Sequence, residues 1–402
     1  MDDGSRLLTS PRVGPLLTAA VEHAGGVLGE WKLDHVDTNP EQSTTATFMA
    51  QITWPWGQRS ELLGVSARSG ELSHTDRGAE IFADGTREVA VWLYPNDPDL
   101  PGLPRAAFAD QLAEMFNAEG VLAQPVTADG LDVTMIGYRP RRRAVVRVAV
   151  RDTGETFFIK VLRARLFQDV LAKHRLLLEG GVPAPQVAFV TPESLMVTRE
   201  LPGHSLAKAL FDQGDPCTAE QLVAALDAMP EAVTRLERRP PWSDAVAHYA
   251  AMVTSAVPDL GPDLHWAAEN ITAGLAGLPP GAEATHGDFH EGQIRVAGGG
   301  IVGILDVDTI GPGRRADDLA CLMAHLSTIQ RMNPTQEAKV RDLLNRWVPV
   351  FDERVDPVEL RLRTAAVVIS LATGPYRGQE ALWRETTAVM VQSAVALVRQ
   401  VT

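Results

Sequence analysis

The order of apolar and polar positions divides the chain into three stretches. In the first, up to about residue 100, "PRVGPLLTAAVEHA" has helical spacing and stops at the helix-ending pair Gly25-Gly26. "ATFMAQITW" alternates, with Phe48, Ala50, Ile52 and Trp54 on one face and Thr47, Met49, Gln51 and Thr53 on the other, which predicts a half-buried strand. "RSELLGVSARSG" and "REVAVWLYP" predict further strands, separated by turn residues such as Asp84-Gly85. A helix with an antiparallel sheet makes a small α+β unit. The prolines of "NDPDLPGLP" then predict a boundary near residue 104.

From 105 to 203 the pattern predicts a helix, "RAAFADQLAEMFNAEG", and two strands, "AVVRVAVRD" and "TGETFFIKVLR", paired through a Thr153-Gly154 turn. A helix stopped by Gly180-Gly181 and Pro183 follows, then a hairpin in "QVAFVTPESLMVTREL". From 204 to 402 helical spacing dominates, in "SLAKALFDQ", "TAEQLVAALDAMPEAVTRLER", "DDLACLMAHLSTIQRM", "PTQEAKVRDLLNRWVPVF" and "ALWRETTAVMVQSAVALVRQ". Ala284 to Ala320 is the exception and reads as loop, hairpin, loop. The expected class is α+β, with an N-terminal α+β domain (1–104), a small sheet-rich lobe (105–203) and a larger helical lobe (204–402).

Composition narrows the function. A hydrophobic content of 45% with 22% charged residues is globular. A net charge of -14 argues against nucleic acid or an anionic membrane as partner, because both call for surplus Lys and Arg. The two cysteines, Cys217 and Cys321, suggest no disulfide framework, and Cys321 sits in an apolar helical run. "MDDGSRLLTS" lacks the apolar core of a secretory signal, and no apolar run reaches bilayer length, so a cytoplasmic location is expected.

Three chemistries compete for "ATHGDFHEGQIRVAGGGIVGILDVDTIGPGRRADDLA". Gly298, Gly300 and Gly303 fit G-x-G-x-x-G, but a strand-like "IVGILDVD" follows where a dinucleotide site needs a helix, so they predict a hairpin turn. His286, Asp288 and His290 alternate like metal ligands near Asp306 and Asp308. No further histidine-rich segment completes a hydrolase site, however, and His325 reads as an ordinary helix residue. Phosphoryl transfer needs a carboxylate to orient the acceptor hydroxyl, a neutral oxygen and a carboxylate for Mg2+, and a strand lysine for the phosphates. Asp288, Gln293, Asp306 and Lys160 can supply these.

"HGDFHEGQ" resembles the catalytic loop of the aminoglycoside phosphotransferase and choline kinase-like superfamily, whose usual form is H-G-D-x-H-x-x-N. "ILDVD" with "DDLA", "GVPAPQV" and "LMVTRELPGHSL" are similar to its metal segment, turn and hinge. The resemblance implies a protein-kinase-like bilobal fold and an ATP- and Mg2+-dependent small-molecule kinase. It implies Asp288 as catalytic base, Gln293 and Asp306 as Mg2+ ligands, Lys160 on the phosphates and the backbone at Glu200 and Leu201 against adenine. His286 would brace the loop. Asp308 is a second metal ligand or orients Arg314 or Arg315; Asp318 caps the next helix or braces the loop.

Gln293 stands where the family usually has Asn, as in actinobacterial maltokinases. "GYRPRRR" replaces the glycine-rich loop, so Arg139, Arg141, Arg142 and Arg143 either reach phosphates or form a solvated loop. The helix after Lys160 offers only Asp169 as its acidic partner. The N-terminal extension is similar to the cap of maltokinase- and glucosamine kinase-like enzymes. It points to a sugar, aminosugar or aminoglycoside-like acceptor, with Tyr376, Glu380 and Trp383 of "GPYRGQEALWRE" as its candidate contacts. A catalytically inactive ligand-binding relative is the alternative, and a metal-dependent hydrolase a more distant one.

Overall fold

A computed structural model describes residues 3–39, 42–69, 78–83, 87–212, 214–329 and 333–402. The expected Asp84-Gly85 turn, Gln213 and the "QRM" that ends one expected helix lie outside these residues. Packing separates two compact units. One takes the residues up to Gln168 with Gln186–Glu200 and Arg377–Glu380; the other takes Asp169–Pro185, Leu201–Tyr376 and Ala381–Thr402.

The first unit opens with α1 (Ser5–Leu8) and α2 (Gly14–His23), then β1 (Val27–Asn39), β2 (Ser43–Trp54), β3 (Gly57–Ser69), β4 (Glu80–Ala83) and β5 (Arg87–Leu93). The strands pair antiparallel in the order β1-β2-β3-β5-β4. Phe48, Ala50 and Ile52 of β2 are buried, as the alternation requires, and so are Leu8, Leu17 and Val21 of the two helices. β1 and β4 have no counterpart in the sequence reading. Both are edge strands, exposed or half-buried over most of their length, and their patterns carry no continuous apolar face.

The expected single helix before the second sheet is two, α3 (Leu103–Ala107) and α4 (Ala109–Glu119), because Phe108 between them is extended at φ -112° and ψ 130°. Then come β6 (Leu131–Arg139), β7 (Arg143–Val150), β8 (Thr156–Leu162), α5 (Ala164–Glu179), β9 (Val187–Val190) and β10 (Leu195–Arg199). The sheet order is β6-β7-β8-β10-β9, all antiparallel. β6 is another edge strand that the pattern does not reveal, since Met135 and Ile136 stand in solvent. Central β8 buries Phe157, Ile159 and Val161 and leaves Phe158 and Lys160, at the alternate positions, half-buried. Phe116 meets Phe157 and Phe189 edge-on, at 5.0 and 5.5 Å.

The proline-rich segment near residue 100 is a packed joint between the two sheets of this unit. The Asp97 carboxylate, 3% exposed, accepts from the Tyr138 hydroxyl and the Arg141 backbone N–H, both at 2.7 Å. Tyr138 in turn accepts from Trp92 Nε1 at 2.8 Å. Arg141 has a left-handed φ of 60°. Its guanidinium donates to Ser66 Oγ at 2.8 Å and lies 5.2 Å over the Trp92 ring.

The second unit contains β11 (His204–Ser205), α6 (Leu206–Ala209), α7 (Ala219–Asp227), α8 (Val246–Ala256), α9 (Gly261–Leu275), β12 (Glu283–Thr285), β13 (Ile294–Ala297), β14 (Gly300–Ile304), β15 (Gly311–Gly313), α10 (Arg315–Ser327), α11 (Pro334–Arg354), α12 (Pro357–Leu371), α13 (Gly374–Arg377) and α14 (Trp383–Arg399). Two short sheets, β11-β13-β14 and β12-β15, are set among these helices. The expected helix after Thr218 ends at Asp227, and Pro230 opens a separate short turn. α8, α9 and α12 escape the sequence pattern. α12 is buried almost all round, so no polar stripe marks its period. One core gathers Leu222, Phe289, Ile294, Leu319, Leu343 and Phe351; another gathers α8, α9, α12 and α14 around Ile271, Val368 and Val395.

Replacing Asp97 by Ala strips the joint of its shared acceptor and leaves a buried hydroxyl and N–H unpaired. The loss in unfolding free energy is expected at about 2 to 4 kcal/mol. Urea denaturation of Asp97→Ala at wild-type stability would show that the joint carries no weight.

Candidate active site

The segment from β12 to α10 folds as loop, hairpin, loop. Gly298 and Gly299 take φ of 59° and 77° at the β13–β14 turn, whereas Gly300 and Gly303, expected in that turn, are strand residues of β14 paired with Ala297 and Arg295. The loop ahead of β13 carries His286, Asp288 and His290 and is pinned by Phe289, which is fully buried in the core between its two polar neighbours.

Asp318 on α10 is the structural centre of this loop. Its carboxylate has no exposed surface and accepts from the backbone N–H of His286 at 3.0 Å and of Gly287 at 2.8 Å. Arg315 Nη1 lies 3.3 Å away. Burial still pushes the Asp318 carboxyl above its ordinary range. The cap of α10 comes from Asp317, which accepts from Arg314 N at 3.1 Å. Gly287 sits at φ 82°, where a Cβ would come within 2.6 Å of the Thr309 carbonyl oxygen.

His286 is fully buried. Its Nδ1 accepts from Asp288 N at 3.2 Å, so Nε2 carries the proton and donates to the Leu305 carbonyl at 2.9 Å. One ring thus ties the Asp288 backbone to the residue before Asp306. The β13–β14 register opposes Ile294 to Ile304, and Leu305 N donates to the Gln293 carbonyl at 2.7 Å. Gln293 and Asp306 are therefore brought together on neighbouring strand ends. Asp306 adopts a left-handed φ of 50° and ψ of 53°. Oxygen donors from an amide and a carboxylate suit Mg2+.

Arg314 pairs with Glu359, Nη2 to Oε2 at 2.7 Å, and Arg315 with Asp318 and Asp227. The Asp308 carbonyl accepts from Lys173 on α5 at 3.3 Å. Lys173 also pairs with Asp169, at 2.8 Å, so that carboxylate has a partner on its own helix. The Leu201 carbonyl accepts from Arg295 at 3.0 Å, while Glu200 N donates to the Thr156 carbonyl at 3.0 Å. Tyr376 and Trp383 meet edge-on at 5.0 Å, with the Arg384 guanidinium 4.4 Å over the indole. Glu380 is half-buried in the first unit.

In the first unit, the tip of the β6–β7 hairpin is gripped by the N-terminal sheet. Asp37 on β1 pairs with Arg142 at 3.1 Å and with Arg377 at 3.0 Å. Arg142 is therefore a paired residue, still half-exposed, rather than part of a free loop. Arg139, exposed at the end of β6, lies within electrostatic reach of Arg143, Arg377 and Arg142.

Two residues around Asp288 escaped the sequence reading of the site. His325 on α10, expected as an ordinary helix residue, stacks on His290 with ring centres 4.1 Å apart and planes 9° apart. Cys321 Sγ lies 3.8 Å from Asp288 Oδ1. Both are four- and eight-residue steps along a helix from the Asp317 cap, a spacing that a helical projection of α10 makes visible. Burial and then the neighbouring His290 push His325 down to about 4. Burial opposes charge on His290, but Glu291, Asp288 and Asp306 more than offset it and hold that ring above its ordinary value.

Residues 136–352, just over half of the 402, match the phosphotransferase enzyme family. The chain belongs to that family. Its membership accounts for the protein-kinase-like fold, with an antiparallel sheet ahead of a helical region. Among solved structures it is similar to a thermostable mutant of the aminoglycoside phosphotransferase APH(4)-Ia in its apo form (16% identity, 67% of this chain and 94% of that chain, TM-score 0.48). It is similar also to the macrolide 2'-phosphotransferase MphH from Brachybacterium faecium (20% identity, 70% and 98%, TM-score 0.44). A choline/ethanolamine kinase family protein from Mesorhizobium loti is 19% identical over 71% of this chain and 99% of that one, with a TM-score of 0.46. An uncharacterized protein of Deinococcus radiodurans is 48% identical over 65 residues, which span 16% of this chain and only 19% of that relative's length. Among the described residues, no helix is long and apolar enough to cross a membrane.

Asp318→Ala would leave two loop N–H groups and the Arg315 guanidinium without their shared buried acceptor. A loss of about 3 to 5 kcal/mol is expected in chemical denaturation. An unchanged midpoint would remove Asp318 from its place at the centre of the loop.

Proposed function

We propose that the protein is an ATP- and Mg2+-dependent phosphotransferase that phosphorylates a hydroxyl of a small sugar, aminosugar or aminoglycoside-like acceptor. The observation that carries this reading is the single His286 ring, which holds the Asp288 backbone on one nitrogen and the Leu305 carbonyl, next to Asp306, on the other. It links the loop that carries Asp288, the carboxylate we assign to the acceptor, to the strand end that carries Asp306, the carboxylate we assign to the metal.

In this reading Asp288 orients the acceptor hydroxyl and takes its proton as the phosphoryl group transfers in line. Gln293 and Asp306 hold Mg2+, with Asp308 beside them; bound there, the ion supplies charge neutralisation to the phosphates. His286 and Asp318 brace the loop. Lys160, on the central strand of the second sheet, serves the nucleotide phosphates, and the backbone at Glu200 and Leu201 the adenine. Arg142 and Asp169 act indirectly, through Asp37 and Lys173. Tyr376, Glu380 and Trp383 serve the acceptor. Residues 1–104 form a cap, 105–203 a small lobe and 204–402 a large lobe of a cytoplasmic enzyme.

The test is an ATP-consumption screen against sugars, aminosugars and aminoglycosides. With the acceptor found, Asp288→Asn is expected to lower kcat by about 10^2- to 10^4-fold while nucleotide affinity stays near wild type. Turnover at the wild-type rate would overturn the assignment of Asp288. Saturating Mg2+-ATP, at about 100 times its Kd, is expected to stabilise the wild-type protein by about 2.7 kcal/mol, a thermal shift that Asp306→Ala loses. Equal shifts in both proteins would remove Asp306 from the metal site.

A further inference from the structure

The chain has 10 histidines and two cysteines, yet two of the histidines and one of the cysteines meet at Asp288. One ligand atom each from Asp288, His290 and His325 lies within 4.8 Å of the others. Glu291 completes the surround, with Oε2 at 3.7 Å from His290 Nδ1 and 3.8 Å from His325 Nδ1. That oxygen is buried and accepts no hydrogen bond among the described residues. The group comes from two separate elements, the loop before β13 and the helix α10. It differs in chemistry from the Gln293 and Asp306 pair. Amide and carboxylate oxygens suit a hard cation, whereas two imidazoles with carboxylates select a borderline one.

We propose that Asp288, His290 and His325, with Glu291 against both rings, bind a divalent cation of the zinc class, and that this cation inhibits the enzyme by occupying the Asp288 carboxylate. Only the inhibition rests on the phosphotransferase reading; the binding does not. Zinc bonds of ~2.0–2.2 Å place neighbouring ligand atoms roughly 3.3–3.6 Å apart in a tetrahedron. Closing the 4.8 Å spread therefore takes about 1 Å of side-chain movement. The stacked rings must tilt so that both nitrogens aim at one ion. Both imidazoles are partly open, with side chains 17% and 23% exposed; His290 Nδ1 accepts from Gly292 N at 3.1 Å and its Nε2 lies 3.2 Å from Gln293 Nε2, so taking up an ion trades one of these contacts for a metal bond. The Glu291 carboxylate, 3.7 and 3.8 Å from the two rings, and the Asp288 carboxylate place negative charge around one point, so the site draws a cation. Cys321 lies behind Asp288, with Sγ 3.8 Å from Oδ1.

The full-length protein, free of nucleotide and acceptor, would be titrated with Zn2+ by calorimetry and with Co2+ by visible absorption. One site per chain is expected, with the intense absorption bands of tetrahedral Co2+. His325→Ala and His290→Gln should each weaken Zn2+ roughly tenfold or more. Wild-type zinc affinity in a folded His325→Ala protein, or a Co2+ spectrum that stays octahedral, would overturn the site. If His325→Ala does not fold, judged by circular dichroism, His290→Gln decides alone. In the phosphotransfer assay, half-inhibition of His325→Ala should need roughly tenfold more Zn2+ than that of the wild type; equal inhibition would overturn the blocking role. A chain that binds zinc but transfers no phosphoryl group to any acceptor would overturn the phosphotransferase reading and leave the metal site standing. A chain that turns over but binds no zinc would do the reverse.

Discussion

A carboxylate with no exposed surface is tolerable only when every oxygen is answered, and that demand shapes the loop around Asp318. Two consecutive backbone N–H groups, from His286 and Gly287, must point the same way to reach it. They do so because Gly287 takes a left-handed conformation closed to other residues beside Thr309. The buried ring of His286 follows, and with it the direction of Asp288 and the position of Leu305. Phe289 then fills the core on the inward side, so the polar residues flanking it face outward. The loop is thus built from the helix α10 upward.

Much of this was legible in the residues, and the parts that were not share a physical cause. Strands with one buried face, such as β2 and β8, announce themselves by alternation. Edge strands β1, β4 and β6 do not, because neither face needs to be apolar. α12 fails for the opposite reason: buried almost all round, it has no polar stripe to set its phase. Within the site, sequence spacing isolates the loop carrying Asp288 and the strand end carrying Asp306. It says nothing of partners supplied by packing. His325 lies far from the loop in sequence and reads as an ordinary helix residue until the helices are in place; Lys173, on α5, carries no mark in the sequence at all.

The joint centred on Asp97 changes the meaning of a proline-rich segment. Composition marks it as a place where two parts of the chain separate. In the structure it is where the two sheets of one unit share a buried carboxylate, a tyrosine hydroxyl and an arginine in a left-handed conformation.

The grip of Asp37 on the β6–β7 hairpin is also a statement about the local field. Arg139, Arg142, Arg143 and Arg377 crowd together there, and Asp37 faces Arg142 and Arg377. The surface is locally cationic on a chain whose net charge is -14. A polyanion is repelled from afar by the whole molecule and attracted only within about one Debye length of the arginines. Added salt shortens the repulsive reach first, so the encounter of such a ligand with this hairpin quickens with moderate ionic strength where a uniformly basic surface would slow it.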